Sequence, residues 1–192
     1  MRWFWIDKFV EFESGQRAVA LKNVTLGEPH VNDYVPGRAL LPPSLVLEGL
    51  AQTGGVLVAE AKQFEHRVVL AKVSRASFPR DPRPGDCLEY TALLEQIQPD
   101  GAIVDANAHV NGTLVAQTKM VFAHLGQEVT ATLFDPAELL QMLKLWRLFE
   151  VGHGPDGLPL KVPDSLQSHT ISTETGRLLH AVPPSLREGR TR

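Results

Sequence analysis

Residues 41–63 read LPPSLVLEGLAQTGGVLVAEAKQ, and the fold follows from how that stretch must be housed. Leu45, Val46, Leu47, Leu50, Ala51, Val56, Leu57 and Val58 leave it apolar on nearly every side, and such a helix belongs inside a domain. Pro42 and Pro43 suit its start, where the first positions need no backbone N–H for the ladder. Roughly 20 helical residues span about 30 Å, enough to cross a membrane. Glu48, Gln52, Glu60 and Lys62 interrupt the run, so the stretch predicts a core helix wrapped by other elements. Glu48 and Gln52 share one face in its apolar part. An unpaired ionised carboxylate there would be costly, so Glu48 has to be paired, protonated or set along a cavity.

Working outward, an aromatic-rich N-terminal segment, the turn Glu13-Ser14-Gly15-Gln16 and residues 17–24 (RAVALKNV) predict a hairpin. Residues 25–38 (TLGEPHVNDYVPGR) read as a loop leading into the helix. Beyond the helix, residues 66–78 read as a strand, 79–86 (PRDPRPGD) as a proline-rich turn and 87–98 as a second strand. Between 102 and 110, Val104, Ala106, Ala108 and Val110 alternate with Ile103, Asp105, Asn107 and His109. Asn111-Gly112 is a hairpin signal. A last strand over 113–124 places Leu114, Ala116, Thr118, Met120 and Phe122 on one face. The order predicts an α+β architecture, a curved antiparallel sheet wrapped around the helix.

Residues 1–125 therefore form the main domain, 126–151 an extension and 152–192 a flexible tail, save for a short docking piece over 158–162. In the extension, Asp135 as N-cap and Glu138 predict one helix over 136–151. Its stripe of Leu139, Leu140, Leu143, Trp146 and Phe149 should dock on the domain or on a partner subunit. The chain has 192 residues, 43% hydrophobic content and a formal net charge of −3, a balance that draws it neither to nucleic acid nor to anionic membrane. Cys87 is the only cysteine, which excludes an internal disulfide and a thiolate metal site. Its place at a strand start marks a small apolar residue. No secretory signal is read, and a reducing, cytoplasmic home is expected.

One family resemblance runs through these elements. It rests on Asn23-Val24-Thr25 with Glu28-Pro29, Pro36-Gly37-Arg38, Leu41-Pro42, Glu48 and Ala51-Gln52. Leu70-Ala71-Lys72-Val73, Phe78, Pro84-Gly85-Asp86 and Asn111-Gly112 continue it. Residues 3–124 resemble the FabZ-type 3-hydroxyacyl-[acyl-carrier-protein] dehydratases. The resemblance implies the hotdog fold, a homodimer or a trimer of dimers (hexamer), and active sites at the dimer interface. It also implies acyl groups delivered on acyl carrier protein or coenzyme A, with no metal or organic cofactor. A loop histidine of one subunit and a helix carboxylate of the other would carry the chemistry, with backbone N–H groups on the thioester carbonyl.

The departure from the pattern lies at the chemistry. Where the family loop reads Gly-His-Phe-Pro-Gly, this chain has Asp33-Tyr34-Val35-Pro36-Gly37, so Tyr34 replaces the histidine. Pro43 replaces the glycine at the helix start and removes a backbone N–H. Glu48 is retained as the helix carboxylate. The resemblance makes Glu48 and Tyr34 the catalytic candidates, with substrate contacts at His30, Pro36, Gly37, Arg38, Ser44 and Gln52.

Dehydration needs a base for the C2 proton, an acid for the departing hydroxyl and donors for the developing enolate. A phenol, whose ordinary pKa is about 10, is a poor base at neutrality but a usable donor. Three arrangements are open: Glu48, its pKa raised by burial, as base with Tyr34 donating; His30 moving into the site; or loss of dehydration. The last would leave an acyl-thioester or carrier-protein binder, and the same fold also hosts thioesterases.

Overall fold

The computed structural model describes residues 4–125 and 135–167. Six strands form an antiparallel sheet: β1 (Lys8–Glu13), β2 (Arg17–Asn23), β3 (Arg67–Ser77), β4 (Cys87–Ile97), β5 (Gly101–Val110) and β6 (Thr113–Leu125). A two-residue strand, β7 (Gly152–His153), joins β1 in parallel, giving the order β3-β6-β5-β4-β2-β1-β7. The long helix α2 (Pro43–Glu60) packs on β2 through β6, with Val46, Leu50, Leu57 and Val58 fully buried. This is the α+β hotdog arrangement, a sheet curled around one core helix.

Close approach of helix and sheet is a matter of side-chain size. A Cβ on Gly49 would stand 2.5 Å from Cζ of the buried Tyr90 on β4. On Gly54 it would meet Val104 at 3.1 Å, whereas on Gly55 it would make an ordinary 3.4 Å contact with Phe122. Gly49, more than Gly54-Gly55, is the contact that lets α2 settle on the sheet. Thr53, also buried on α2, donates its hydroxyl to the Gly49 carbonyl at 2.8 Å, so its polar group is satisfied.

On β5 the expected alternation holds, with Val104, Ala106, Ala108 and Val110 inside. Asn111 and Gly112 both take positive φ, 50° and 75°, as a tight two-residue hairpin turn requires. Just beyond, a bulge between Ala108 and His109 pairs them with Ala116 and Leu114, adding Val115 to β6. Val115 is therefore buried and Leu114 slips to a half-buried position, off the face expected for it.

The loop over 25–38 is not structureless. Pro29 opens a one-turn helix, α1 (Pro29–Asp33), that buries Val31. The Val31 carbonyl accepts from Leu40 N at 3.1 Å, tying this turn to the entry of α2.

In the extension, Asp135 caps α3 (Pro136–Leu145) by accepting from Ala137 N at 2.8 Å. The single helix expected over 136–151 is broken. The Trp146 carbonyl accepts from Phe9 N at 2.8 Å, Arg147 turns left-handed at φ 62°, and α4 (Leu148–Val151) restarts. Leu143, Trp146 and Leu148 are buried in this chain's own core, with Phe4 and Phe9 edge-on to Trp146. Residues 152–167 hold β7 and α5 (Asp164–Gln167), whose Ser165 hydroxyl donates to the Gln63 carbonyl at 2.6 Å. The rest of the expected tail, 168–192, lies outside the described residues.

Candidate active site

The curled sheet leaves one face of α2 uncovered. Along it, Glu48, Gln52, Gly55 and Ala59 fall in line at helical spacing, with Ala51 and Val56 beside them. They line a cavity of about 560 Å³. Val68 and Leu70 of β3, Phe122 of β6, Leu139 and Met142 of α3, Trp146 at the C-cap of α3 and Phe4 line it as well, and His66, Arg67 and Glu138 add polar groups. The volume lies in the range of small-molecule sites, and the lining is largely apolar.

Glu48 is one of the polar groups on the cavity wall. Gln52 Nε2 donates to Glu48 Oε1 at 2.9 Å, while Gln52 Oε1 accepts from the backbone N–H of Trp5 at 2.9 Å. The second bond orients the Gln52 amide, because only its nitrogen is then left to face the carboxylate. Trp5 in turn stands edge-on to His30 with ring centroids 5.4 Å apart. Glu48 is thus half-buried, held through one amide and open to the cavity, where a carboxylate can exchange a proton with a ligand whose apolar part lies beyond it.

Of the residues expected in the site, the structure brings Glu48 and Gln52 together and sets His30 one ring contact away, on Trp5. Tyr34 follows α1, is 55% exposed and does not line the Glu48 cavity of its own chain. Pro36, Gly37 and Arg38 continue that exposed loop. Arg38 Nη2 pairs with Asp81 Oδ2 at 2.6 Å, which ties the loop to the β3–β4 connection. Ser44 is exposed in the first turn of α2. Cys87 is exposed, and partial desolvation, then the carboxylates of Asp7 and Glu89, hold its thiol above its ordinary pKa, away from nucleophilic chemistry.

The sequence reading missed Phe4, Trp5, Leu139, Met142 and Trp146 as site residues. The stripe on α3 was visible in its spacing, but nothing local shows which face of the domain it meets.

Comparisons with known proteins show the family and the fold. The FabA-like domain family matches residues 3–119. The 3-hydroxyacyl-[acyl-carrier-protein] dehydratase FabZ of Herpetosiphon aurantiacus is 36% identical over 119 residues, 62% of this chain and 84% of that one. The enzyme of the same name from Campylobacter curvus is 36% identical over 124 residues, covering 60% and 82%. Among solved structures, a Streptococcus mutans protein bound to acetyl-CoA superposes with a TM-score of 0.54 at 16% identity, over 66% of this chain and 94% of that chain. That likeness establishes the shared fold. With the family match running from residue 3 into β6 and relatives 36% identical over most of their own length, the chain belongs to the FabA-like family, alongside the FabZ 3-hydroxyacyl-[acyl-carrier-protein] dehydratases.

Proposed function

We propose that the protein is a hydro-lyase that removes water from 3-hydroxyacyl thioesters carried on acyl carrier protein, or adds it back. The observation that carries this reading is Glu48, held by Gln52 on the wall of a largely apolar cavity that His66, Arg67 and Glu138 also line. In the reaction a base takes the C2 proton, the C2–C3 double bond forms, and the C3–O bond breaks as the hydroxyl is protonated and leaves as water. Glu48 is the catalytic carboxyl in this scheme, and the phenol of Tyr34 is its donor partner.

Glu48 and Tyr34 are not joined within one chain, so the pairing needs a second copy. β3 is an edge of the sheet, paired only with β6 among the described residues, and its Val68 and Leu70 line the Glu48 cavity. An open edge of this length is a template for strand pairing. In this reading the working unit is a homodimer joined along β3, and Tyr34 of the partner subunit is the donor that completes the site. A cytoplasmic setting belongs to the same reading, since the one cysteine leaves no internal disulfide.

A second reading has its own support. The exposure of Tyr34 and the Arg38–Asp81 pair that ties its loop elsewhere favour an acyl-thioester binder without turnover. Incubating the protein with a 3-hydroxyacyl thioester of acyl carrier protein separates the outcomes. Enoyl thioester appearing with the thioester intact supports the dehydratase, free thiol identifies a thioesterase, and binding with neither product leaves the binding role.

A further inference from the structure

The family match ends at residue 119, yet one wall of the cavity is made by α3, which lies beyond it. Leu139 and Met142 of this helix and Trp146 at its C-cap line the cavity. The helix is anchored independently of any ligand: Trp146 is 3% exposed, takes Phe4 and Phe9 edge-on and accepts from Phe9 N through its carbonyl. Its position is therefore a fixed feature of the domain.

The opposite wall is low. On α2 the residues beyond Gln52 are Gly55, Val56 and Ala59, so little bulk comes from that side. On α3, Leu139 and Met142 line the cavity and are half-buried, with apolar surface still open. A thioester whose reacting carbons sit at Glu48 would run its chain along α2 toward Ala59, about 16 Å at 1.5 Å per residue. That path passes Leu139 and Met142. Methionine adapts its shape to such a space, and leucine closes it more firmly.

We infer that α3 is the chain-length gauge of the site, with Leu139 and Met142 as its specificity-determining side chains. The inference rests on the cavity being the acyl site of the proposed function. It assigns the extension a task within the hotdog domain's own chemistry.

The test is the dissociation constant of the full-length protein for a series of saturated acyl-CoA thioesters of increasing length, with free coenzyme A as the reference. None of these ligands turns over by dehydration. In the wild type, affinity should rise about fourfold for each methylene that enters the cavity. Leu139→Trp and Met142→Trp should end that rise at a shorter chain, and Leu139→Ala with Met142→Ala should carry it to a longer one. Leu145→Trp, on the exposed side of the same helix, should leave the profile unchanged. The alanine pair carries the test if the tryptophan variants do not fold. A wild-type rise that is unaltered in folded Leu139 and Met142 variants overturns the gauge and leaves the dehydratase standing. A wild type with no dependence on length overturns the gauge together with the acyl reading of the cavity.

Discussion

Gly49→Ala puts the packing account at risk most simply. The added methyl would stand 2.5, 2.6 and 2.7 Å from Cζ, Cε2 and Oη of Tyr90. Favourable carbon contacts lie near 3.5–4.0 Å, so the ring or the helix must retreat by about 1 Å. Tyr90 is fully buried on β4, between β2 and β5, and cannot swing into solvent. Overpacking of this kind costs about 1–3 kcal/mol or more, against about 1 kcal/mol returned by replacing a helical glycine with alanine. The net expectation is a loss of up to about 2 kcal/mol, which lowers Tm by up to about 8 °C in a domain of this size. Gly55→Ala is the internal control. Its methyl meets only Phe122 at 3.4 Å, so the propensity gain survives and Tm should hold or rise by about 2–4 °C. Thermal melts followed by circular dichroism, with urea titrations for ΔG, measure both. In the double variant Gly49→Ala/Tyr90→Leu the two losses should fall short of their sum, since the clash disappears with the ring. A Gly49→Ala protein melting at or above wild type, or losses that simply add, would refute the reasoning.

Two further predictions concern buried polar groups. Glu60, at the end of α2, is 2% exposed, and burial raises its carboxyl pKa against the weaker pull of Ser14 and Gln63. The folded protein then binds that proton more tightly than the unfolded chain, so stability is lost as pH rises from the ordinary carboxyl range through the folded value. Glu60→Gln should remove this loss and melt higher than wild type at neutral pH, converging with it in acid; parallel pH–Tm curves would count against the assignment. Tyr90 Oη is buried with no hydrogen-bond partner among the described residues, and burial drives its pKa upward, with Asp7 and Glu28 adding to the shift. Tyr90→Phe should therefore be neutral or stabilise by about 1 kcal/mol in urea titrations, and a clear destabilisation would show that the hydroxyl has a partner.

Much of the fold was legible because its signals are local. The all-round apolar character of 45–58 marked α2, the alternation from Val104 to Val110 marked a half-buried strand, and Asn111-Gly112 marked its turn. Asp135 announced the start of α3 for the same reason, a cap that needs only the residues beside it. What escaped depends on contacts between distant segments. The break at Trp146–Arg147 exists because the Trp146 carbonyl bonds to Phe9, and Gly49 matters because Tyr90 lies against it. At the site, the carboxylate and its i, i+4 amide were readable from spacing alone. The orienting bond from Trp5 and the wall from α3 were not, since both come from segments far from α2 in the sequence. The exchange of histidine for Tyr34 is plain in the sequence, but its chemical meaning depends on where a neighbouring subunit places that loop.

The most direct measurement is the hydration rate of a trans-2-enoyl thioester by the wild type beside Glu48→Gln and Tyr34→Phe, each shown to melt like the wild type. The account predicts turnover in the wild type and a loss of about 10²–10⁴-fold in Glu48→Gln, the usual contribution of a positioned acid or base. It also predicts a marked loss in Tyr34→Phe. Wild-type turnover that survives Glu48→Gln, or no turnover on either carrier-protein or coenzyme A thioesters, would contradict it.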